Sequence, residues 1–346
     1  MHDREEEWID SLVGHTAEMS FDLVAYAAKE QTMIPAVLTV TMNPAVDVHT
    51  GVDQVVPNRK LRCGEPVREP GGGGVNVARA LRRLGGDAVA IMPAGGITGT
   101  RLNDLLSSEG VTTRIVPISG ETPETFTVIE NSSDNQFRFV TEGPLLRDEE
   151  WTAVLEQVRA FRPVPRFIVA SGTLPRGVPE DFFGRLSALA AEAGSNLIVD
   201  TSGLPLQHAA GAGTFLIKPN LAEFRGPAGG LAMSDFFLEG AAGALVASGK
   251  AKTVVVSMGA GGAVYASERG TRRVMAPTVK VKSRIGAGDS MVAGIVMGLI
   301  RDFSFDDAVL YGIAAGSAAV MNPGAELCAM EDVERLYDEM QNRKAA

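Results

Sequence analysis

The chain has 346 residues, 45% of them hydrophobic and 21% charged, a balance that supports a folded core and excludes an extended disordered protein. Its net charge of −10, with Arg82-Arg83 and Arg272-Arg273 standing as isolated pairs, excludes a broad basic surface and argues against a nucleic-acid partner. Two distant cysteines, Cys63 and Cys328, form neither a disulfide framework nor a zinc site and fit a reducing cytoplasm.

Residues 1–34 read as an appended arm, mobile or loosely docked, in which Glu5-Glu6-Glu7 precedes weakly helical apolar spacing at Trp8, Ile9, Leu12 and Val13. The start lacks the basic flank and apolar core of a leader, and the apolar stretch Met291 to Ile300 is half a membrane span, so export and membrane insertion are not expected. From Ala36 onward the pattern changes. Short β-branched runs at Val37 to Thr41, Ala88 to Met92, Phe167 to Ala170, Leu197 to Asp200, Phe215 to Lys218 and Val254 to Ser257 alternate with helical segments rich in Ala, Leu and Arg. The alternation predicts an α/β fold whose mainly parallel sheet is covered on both faces. Ligands of such sheets gather beyond the carboxyl ends of the strands. There the chain carries Asn43 and Asp47, Ser171 to Thr173, Asp200, Lys218 with Asn220, and Ser257.

Two period-two runs, Thr125 to Ile129 and Gln136 to Val140, break the alternation and are joined by the turn-forming Asn131 to Asn135. With Val46 to Arg68 they predict a small separate sheet, a lid from about 45–70 and 120–142, whose apolar face needs cover from a substrate or a second copy of the chain. A lid that also forms a homodimer is the expectation. The segment Gly226 to Gly243 reads as a loose helix pair or a mobile loop.

Three motifs carry chemistry. In Pro70-Gly71-Gly72-Gly73-Gly74-Val75-Asn76 a loop without side chains lets the backbone approach a polar ligand, and Asn76 offers both a donor and an acceptor. It lacks the G-x-G-x-x-G spacing of a dinucleotide site. In Lys218-Pro219-Asn220-Leu221-Ala222-Glu223, Asn220 and Glu223 share a helical face. They either position a hydrated magnesium ion or cap the helix, and both are compatible. In Gly286-Ala287-Gly288-Asp289-Ser290 the glycines let N–H groups at a helix start converge on an anion. Asp289 there either caps the helix or takes the proton of an attacking hydroxyl.

These elements, in this order and after Asn43-Pro44-Ala45-Val46-Asp47, resemble the PfkB carbohydrate kinases of the ribokinase superfamily from about Ala36 to Tyr337. The resemblance implies a ribokinase-like three-layer α/β/α kinase domain over residues 35–340 with a small β-sheet lid. It also implies a cytoplasmic enzyme that moves a phosphoryl group from ATP with Mg2+ to a sugar phosphate. Residue by residue, it implies that Asp47, Gly72, Gly73 and Asn76 meet the sugar, that Lys60 and Arg138 face its phosphate, and that Thr173 adds a contact. Lys218 and Asn220 would meet ATP phosphates, Glu223 with Asn220 would organise magnesium largely through water, and Ser257 and Gly259 would lie along the nucleotide. Gly286, Ala287 and Gly288 would form the anion hole and Asp289 the base. A monovalent cation, K+, would lie near Ser283, Asn322 and Gly324. Within the family, members acting on fructose 6-phosphate carry four glycines in the loop, whereas those acting on fructose 1-phosphate or tagatose 6-phosphate commonly have a lysine at the third, so Gly73 favours fructose 6-phosphate. Three positions depart from the pattern: Pro123 falls where close relatives have an arginine on the hairpin, Arg284 replaces a small residue, and Glu326 replaces an arginine. Asp200 is expected to be structural or to lie outside the contacts.

Overall fold

The computed structural model describes residues 37–133, 135–226, 235–324 and 326–345; the predicted arm of residues 1–34 lies outside them. The strands are β1 (Val37–Val40), β2 (Ala45–Val52), β3 (Val67–Gly71), β4 (Ala88–Ala94), β5 (Thr112–Pro117), β6 (Glu124–Glu130), β7 (Asn135–Val140), β8 (Phe167–Ser171), β9 (Asn196–Asp200), β10 (Thr214–Ile217), β11 (Ala251–Ser257), β12 (Ala263–Ser267) and β13 (Gly270–Val274). The helices among the described residues are α1 (Gly73–Arg83), α2 (Gly96–Ser108), α3 (Asp148–Ala160), α4 (Phe182–Ala193), α5 (Gly203–Gly211), α6 (Leu221–Arg225), α7 (Asp235–Ala247), α8 (Ala287–Ile300), α9 (Phe305–Ala319) and α10 (Met330–Ala345).

A nine-stranded sheet runs in the order β13-β12-β11-β10-β9-β8-β1-β4-β5, parallel except for β12 and β13 at one edge. Val37 sits between Ala88 and Phe167, and Val40 between Ile91 and Ala170. Alternate residues feed opposite cores, as a sheet covered on both faces requires. Val37, Ala88, Ala90, Phe167 and Val169 pack toward α1, α8, α9 and α10, while Leu38, Val89, Ile91, Ile168 and Ala170 pack toward α3, α4, α5 and α7. This is a ribokinase-like three-layer arrangement. Every predicted strand is present. Strands β5, β12 and β13 are additions at the sheet edges, and within Gly226 to Gly243 the described part is the first half of α7.

Helix α8 is buried along most of its length, with Val292, Ala293 and Val296 at 0% exposure. It lies close against α9 because small residues meet there: a Cβ on Gly294 would stand 2.8 Å from the Gly312 Cα. The start of α8 is thereby held rigidly under the ends of the strands.

The second sheet has the order β3-β2-β6-β7, with β2 and β6 parallel and the outer pairs antiparallel. The predicted lid hairpin is β6 and β7. Pro123 has a structural task, since its carbonyl accepts from the Val46 N–H at 3.0 Å where β6 joins β2. No helix among the described residues is long and apolar enough to cross a membrane.

Glu150 in the first turn of α3 ties this helix to the loop after β5. Its carboxylate accepts from the N–H groups of Arg147 at 2.8 Å and Ser119 at 2.7 Å. Burial opposes its charge, yet these bonds hold the group down at about 2. Glu150→Ala leaves two backbone donors unsatisfied and is expected to cost about 1–3 kcal/mol, read as a lower urea midpoint at neutral pH. The stabilisation is present above the ordinary carboxyl range and lost as pH falls through about 2.

Candidate active site

The carboxyl ends of β8, β9 and β10 are stitched side by side: Gly172 N–H donates to Asp200 O at 3.0 Å, Lys218 N–H to Val199 O at 2.9 Å, and Ser257 N–H to Pro219 O at 3.0 Å. The starts of α8 and α1, which pack against each other on one face of the sheet, both reach this row. β1 leads to β4 on one side and borders β8 on the other, so the row lies beside a topological switch point.

Gly286 is the N-cap of α8 at φ 73°, a left-handed conformation that favours glycine, and a Cβ there would meet Leu327 Cδ2 at 2.6 Å. Helix geometry leaves the N–H groups of Ala287, Gly288 and Asp289 without intrahelical acceptors, the arrangement that attracts an anion. Asp289 therefore lies in the first turn of the helix and does not cap it; no side chain caps α8. Its Oδ2 accepts from Asn76 Nδ2 at 3.0 Å and its Oδ1 lies 3.5 Å from Ser171 Oγ. Burial first, and the neighbouring Asp200 second, push the Asp289 carboxyl up to about 7, against the pull of Asn76, Lys218 and Ser171. A carboxylate poised near neutrality beside free helix N–H groups can accept a proton from a hydroxyl.

Lys218 is 2% exposed and its Nζ lies 3.1 Å from Asp200 Oδ2. A Cβ on Gly288 would stand 3.7 Å from that ammonium, so the cation borders the anion-attracting helix start. Asp200, expected to be structural or to lie outside the contacts, is the partner of Lys218; burial raises its pKa and the ammonium lowers it. Ser171 is the other group the motifs did not single out by role. The signal for both was their place at the tails of strands.

Around the glycine loop, a Cβ on Gly71 would fall 2.7 Å from the Asp47 carboxyl carbon, and one on Gly73 would fall 2.8 Å from the Gly172 nitrogen. The loop is packed as four residues without side chains. Gly72, at φ 111°, takes the left-handed turn into α1. Asp47 is buried on β2; burial raises its pKa while Arg138, with Nη2 4.0 Å from Oδ1, draws it down. Asp47, Thr125, Thr127 and Arg138 share one face of the small sheet by register. Thr173 accepts from Asn43 Nδ2 at 3.2 Å. Lys60 lies exposed on the loop between β2 and β3.

At the start of α6, Asn220 and Glu223 take the capping reading. They form a reciprocal cap, Glu223 N–H to Asn220 Oδ1 at 2.9 Å and Asn220 N–H to Glu223 Oε2 at 2.7 Å, which leaves Glu223 Oε1 outside the cap. Ser257 pairs with Asn220 in an isolated bridge, and Gly259 opens a short turn at φ 58°, with open space where a Cβ would stand. No cluster of three His, Cys, Asp or Glu residues that would cage a metal occurs among the described residues. The donors present suit magnesium, which keeps several waters and takes phosphate oxygens. For the expected monovalent site, Lys282 and Ser283 N–H groups donate to Val320 O at 2.7 and 3.3 Å, drawing buried Ser283 beside the turn that contains Asn322 and Gly324. The Asn322 amide donates to Leu327 O at 2.9 Å, while Arg284 and Glu326 are exposed.

Comparison with known proteins agrees with this geometry. The profile of the pfkB family carbohydrate kinases matches residues 32–332. The ATP-dependent 6-phosphofructokinase isozyme 2 of Mycobacterium tuberculosis is 42% identical over 304 residues, 88% of this chain and 89% of the relative. Crystal structures of Escherichia coli phosphofructokinase-2 superpose closely. The complex with potassium has a TM-score of 0.85 at 40% identity, and the complex with fructose-6-phosphate 0.83 at 39%; each covers 88% of this chain and 99% of the other.

Proposed function

The chain belongs to the pfkB family of carbohydrate kinases, and from that premise we propose that it transfers the γ-phosphoryl group of ATP to the 1-hydroxyl of fructose 6-phosphate. The observation that carries the chemistry is Asp289, a carboxylate pushed up to about 7 at the start of α8, one residue from a helix-start glycine that borders Lys218. Asp289 takes the hydroxyl proton as the new P–O bond forms, and the ADP oxygen leaves as the old bond breaks. The N–H groups of Ala287, Gly288 and Asp289 and the Lys218 ammonium offset the phosphate charge. Magnesium arrives with ATP and supplies further charge neutralisation, and Asn220 and Glu223 Oε1 are the groups that would hold its water shell. Asp47 and Asn76 take the sugar hydroxyls, Thr173 adds a contact, and Arg138 and Lys60 attract the 6-phosphate once the lid closes and excludes water. Ser283, Asn322 and Gly324 are the candidate surroundings of a potassium ion.

Fructose 6-phosphate is favoured over fructose 1-phosphate because the four-glycine loop packs without room for a side chain at Gly73, and because relatives named 1-phosphofructokinase are only 28–30% identical. A coupled assay with ATP, magnesium and a panel of sugars and sugar phosphates decides. Turnover on fructose 6-phosphate should exceed that on the others by at least tenfold in kcat/KM; robust turnover on another phosphate with none on this one would overturn the substrate.

The working form is proposed to be a cytoplasmic homodimer through the lid. Phe126, Phe137 and Phe139 share the face opposite Asp47 and Arg138 and are 43%, 36% and 56% exposed. An apolar patch of this kind marks an interaction surface. Phe139→Asp is expected to shift the sedimentation coefficient from dimer toward monomer at micromolar concentration, whereas a wild-type monomer would exclude this interface.

A further inference from the structure

Asn76 faces Asp289 from α1, and its amide is held from behind. Arg79 lies three residues along the same helix, 1% exposed. Its guanidinium is clamped by Glu109, Nε to Oε2 at 2.8 Å and Nη2 to Oε1 at 2.7 Å, with Glu69 Oε1 at 3.6 Å. The remaining arm, Nη1, donates to the Pro70 carbonyl at 3.0 Å and to Asn76 Oδ1 at 3.2 Å. A guanidinium only donates, and an ionised carboxylate only accepts. An amide between the two has one satisfactory orientation, oxygen toward Arg79 and Nδ2 toward Asp289, where it stands at 3.0 Å. The reversed amide would set two donors against each other and two acceptors against each other.

We propose that Arg79 is a positioning residue for phosphoryl transfer, locking Asn76 as a donor toward Asp289 and the sugar and tying that donor through Pro70 and Glu69 to the lid strand β3. The proposal rests on the kinase reading above. It also gives the polarity of the contact a consequence: movement of β3 is felt at the base through a continuous path of Glu69, Arg79, Asn76 and Asp289. The charged groups facing Asp289 are Asp200 and Lys218, and those facing Arg79 are Glu69 and Glu109, with Asp47 at longer range. None of them replaces a donor at Asn76.

Freed from Arg79, Asn76 can turn its oxygen to the site. The base then loses a bond that favours its charged form, and its pKa rises further. The experiment compares wild type, Arg79→Lys and Glu109→Gln as full-length chains across about pH 5 to 9. A lysine keeps the charge but lacks the fork that reaches Glu109, Pro70 and Asn76 together. Arg79→Lys should lower kcat/KM for the sugar phosphate by about 10- to 100-fold, the effect typical of outer partners that orient a site group. Its acid limb should move to higher pH while KM for ATP stays constant. Glu109→Gln should move the limb in the same direction by less, and it decides the matter should Arg79→Lys fail to fold. Carboxyl-carbon NMR of Asp289 without substrate should show the same rise in apparent pKa, so the clamp is tested even if fructose 6-phosphate is not the substrate. A wild-type Asp289 titration in the folded variants, or a loss of activity that only follows the melting temperature, would overturn the assignment.

Discussion

Asp289→Asn is expected to cut turnover by about two to four orders of magnitude, the contribution of a positioned general base, while making the folded protein more resistant to heat above neutral pH. The two effects share one cause. Burial, and then the nearby Asp200, push this carboxyl up to about 7 from its ordinary value of 3.8. Because the folded-state pKa is raised, the stability this group contributes is complete below the ordinary carboxyl range and is lost as pH rises through about 7. An asparagine of the same shape carries no charge at any pH. The difference in melting temperature between the variant and wild type should therefore be small near pH 5 and grow by pH 8. In wild type the same titration sets the acid limb of kcat/KM near pH 7. Turnover of the variant equal to wild type would remove Asp289 from the proton transfer, and a melting temperature that falls at pH 8 would show that its charge is already compensated.

Lys218→Met should lower kcat/KM for ATP by about 10²- to 10³-fold, in line with the loss of one fixed donor at a site of developing charge. It also removes the partner of a buried acid, since Lys218 Nζ and Asp200 Oδ2 stand 3.1 Å apart. Breaking one half of such a pair costs about 3–5 kcal/mol while the survivor stays charged. Asp200, whose pKa burial already raises, can escape that cost by taking up a proton, so the loss should shrink as pH falls. Urea midpoints at about pH 6 and 8 read this out. Adding Asp200→Asn should restore most of the stability and none of the ATP kinetics. If the double variant recovered turnover instead, the lysine would serve the fold and not the nucleotide.

Most of the central sheet was legible because its strands are buried on both faces, and runs such as Val37 to Thr41 and Phe167 to Ala170 have no competing interpretation. The edges were not. Strand β5 buries only Val116 and otherwise mixes exposed and half-buried residues, and β13 reads Gly-Thr-Arg-Arg-Val with no buried position, so neither carries a long apolar run. The reversal from parallel to antiparallel after β11 depends on Gly262 at φ 79°, one glycine among many in that stretch. In the site, local spacing was enough to single out Asp289, Asn76 and the Asn220–Glu223 pair, and of the two readings of that pair the capping one is seen in the reciprocal bonds. It was not enough for Asp200 and Arg79. Each looked like an ordinary charged residue until partners distant in sequence, Lys218 for one and Glu109 for the other, came into contact.

Asn76 and Asp289 meet across 213 positions of sequence, and α8 packs both against α1, far upstream, and against α9, which follows it. During synthesis the glycine loop and the lid strands leave the ribosome long before the aspartate does. On the proposed mechanism a nascent chain thus holds the sugar-binding residues before it has the base, and it would not spend ATP ahead of α8.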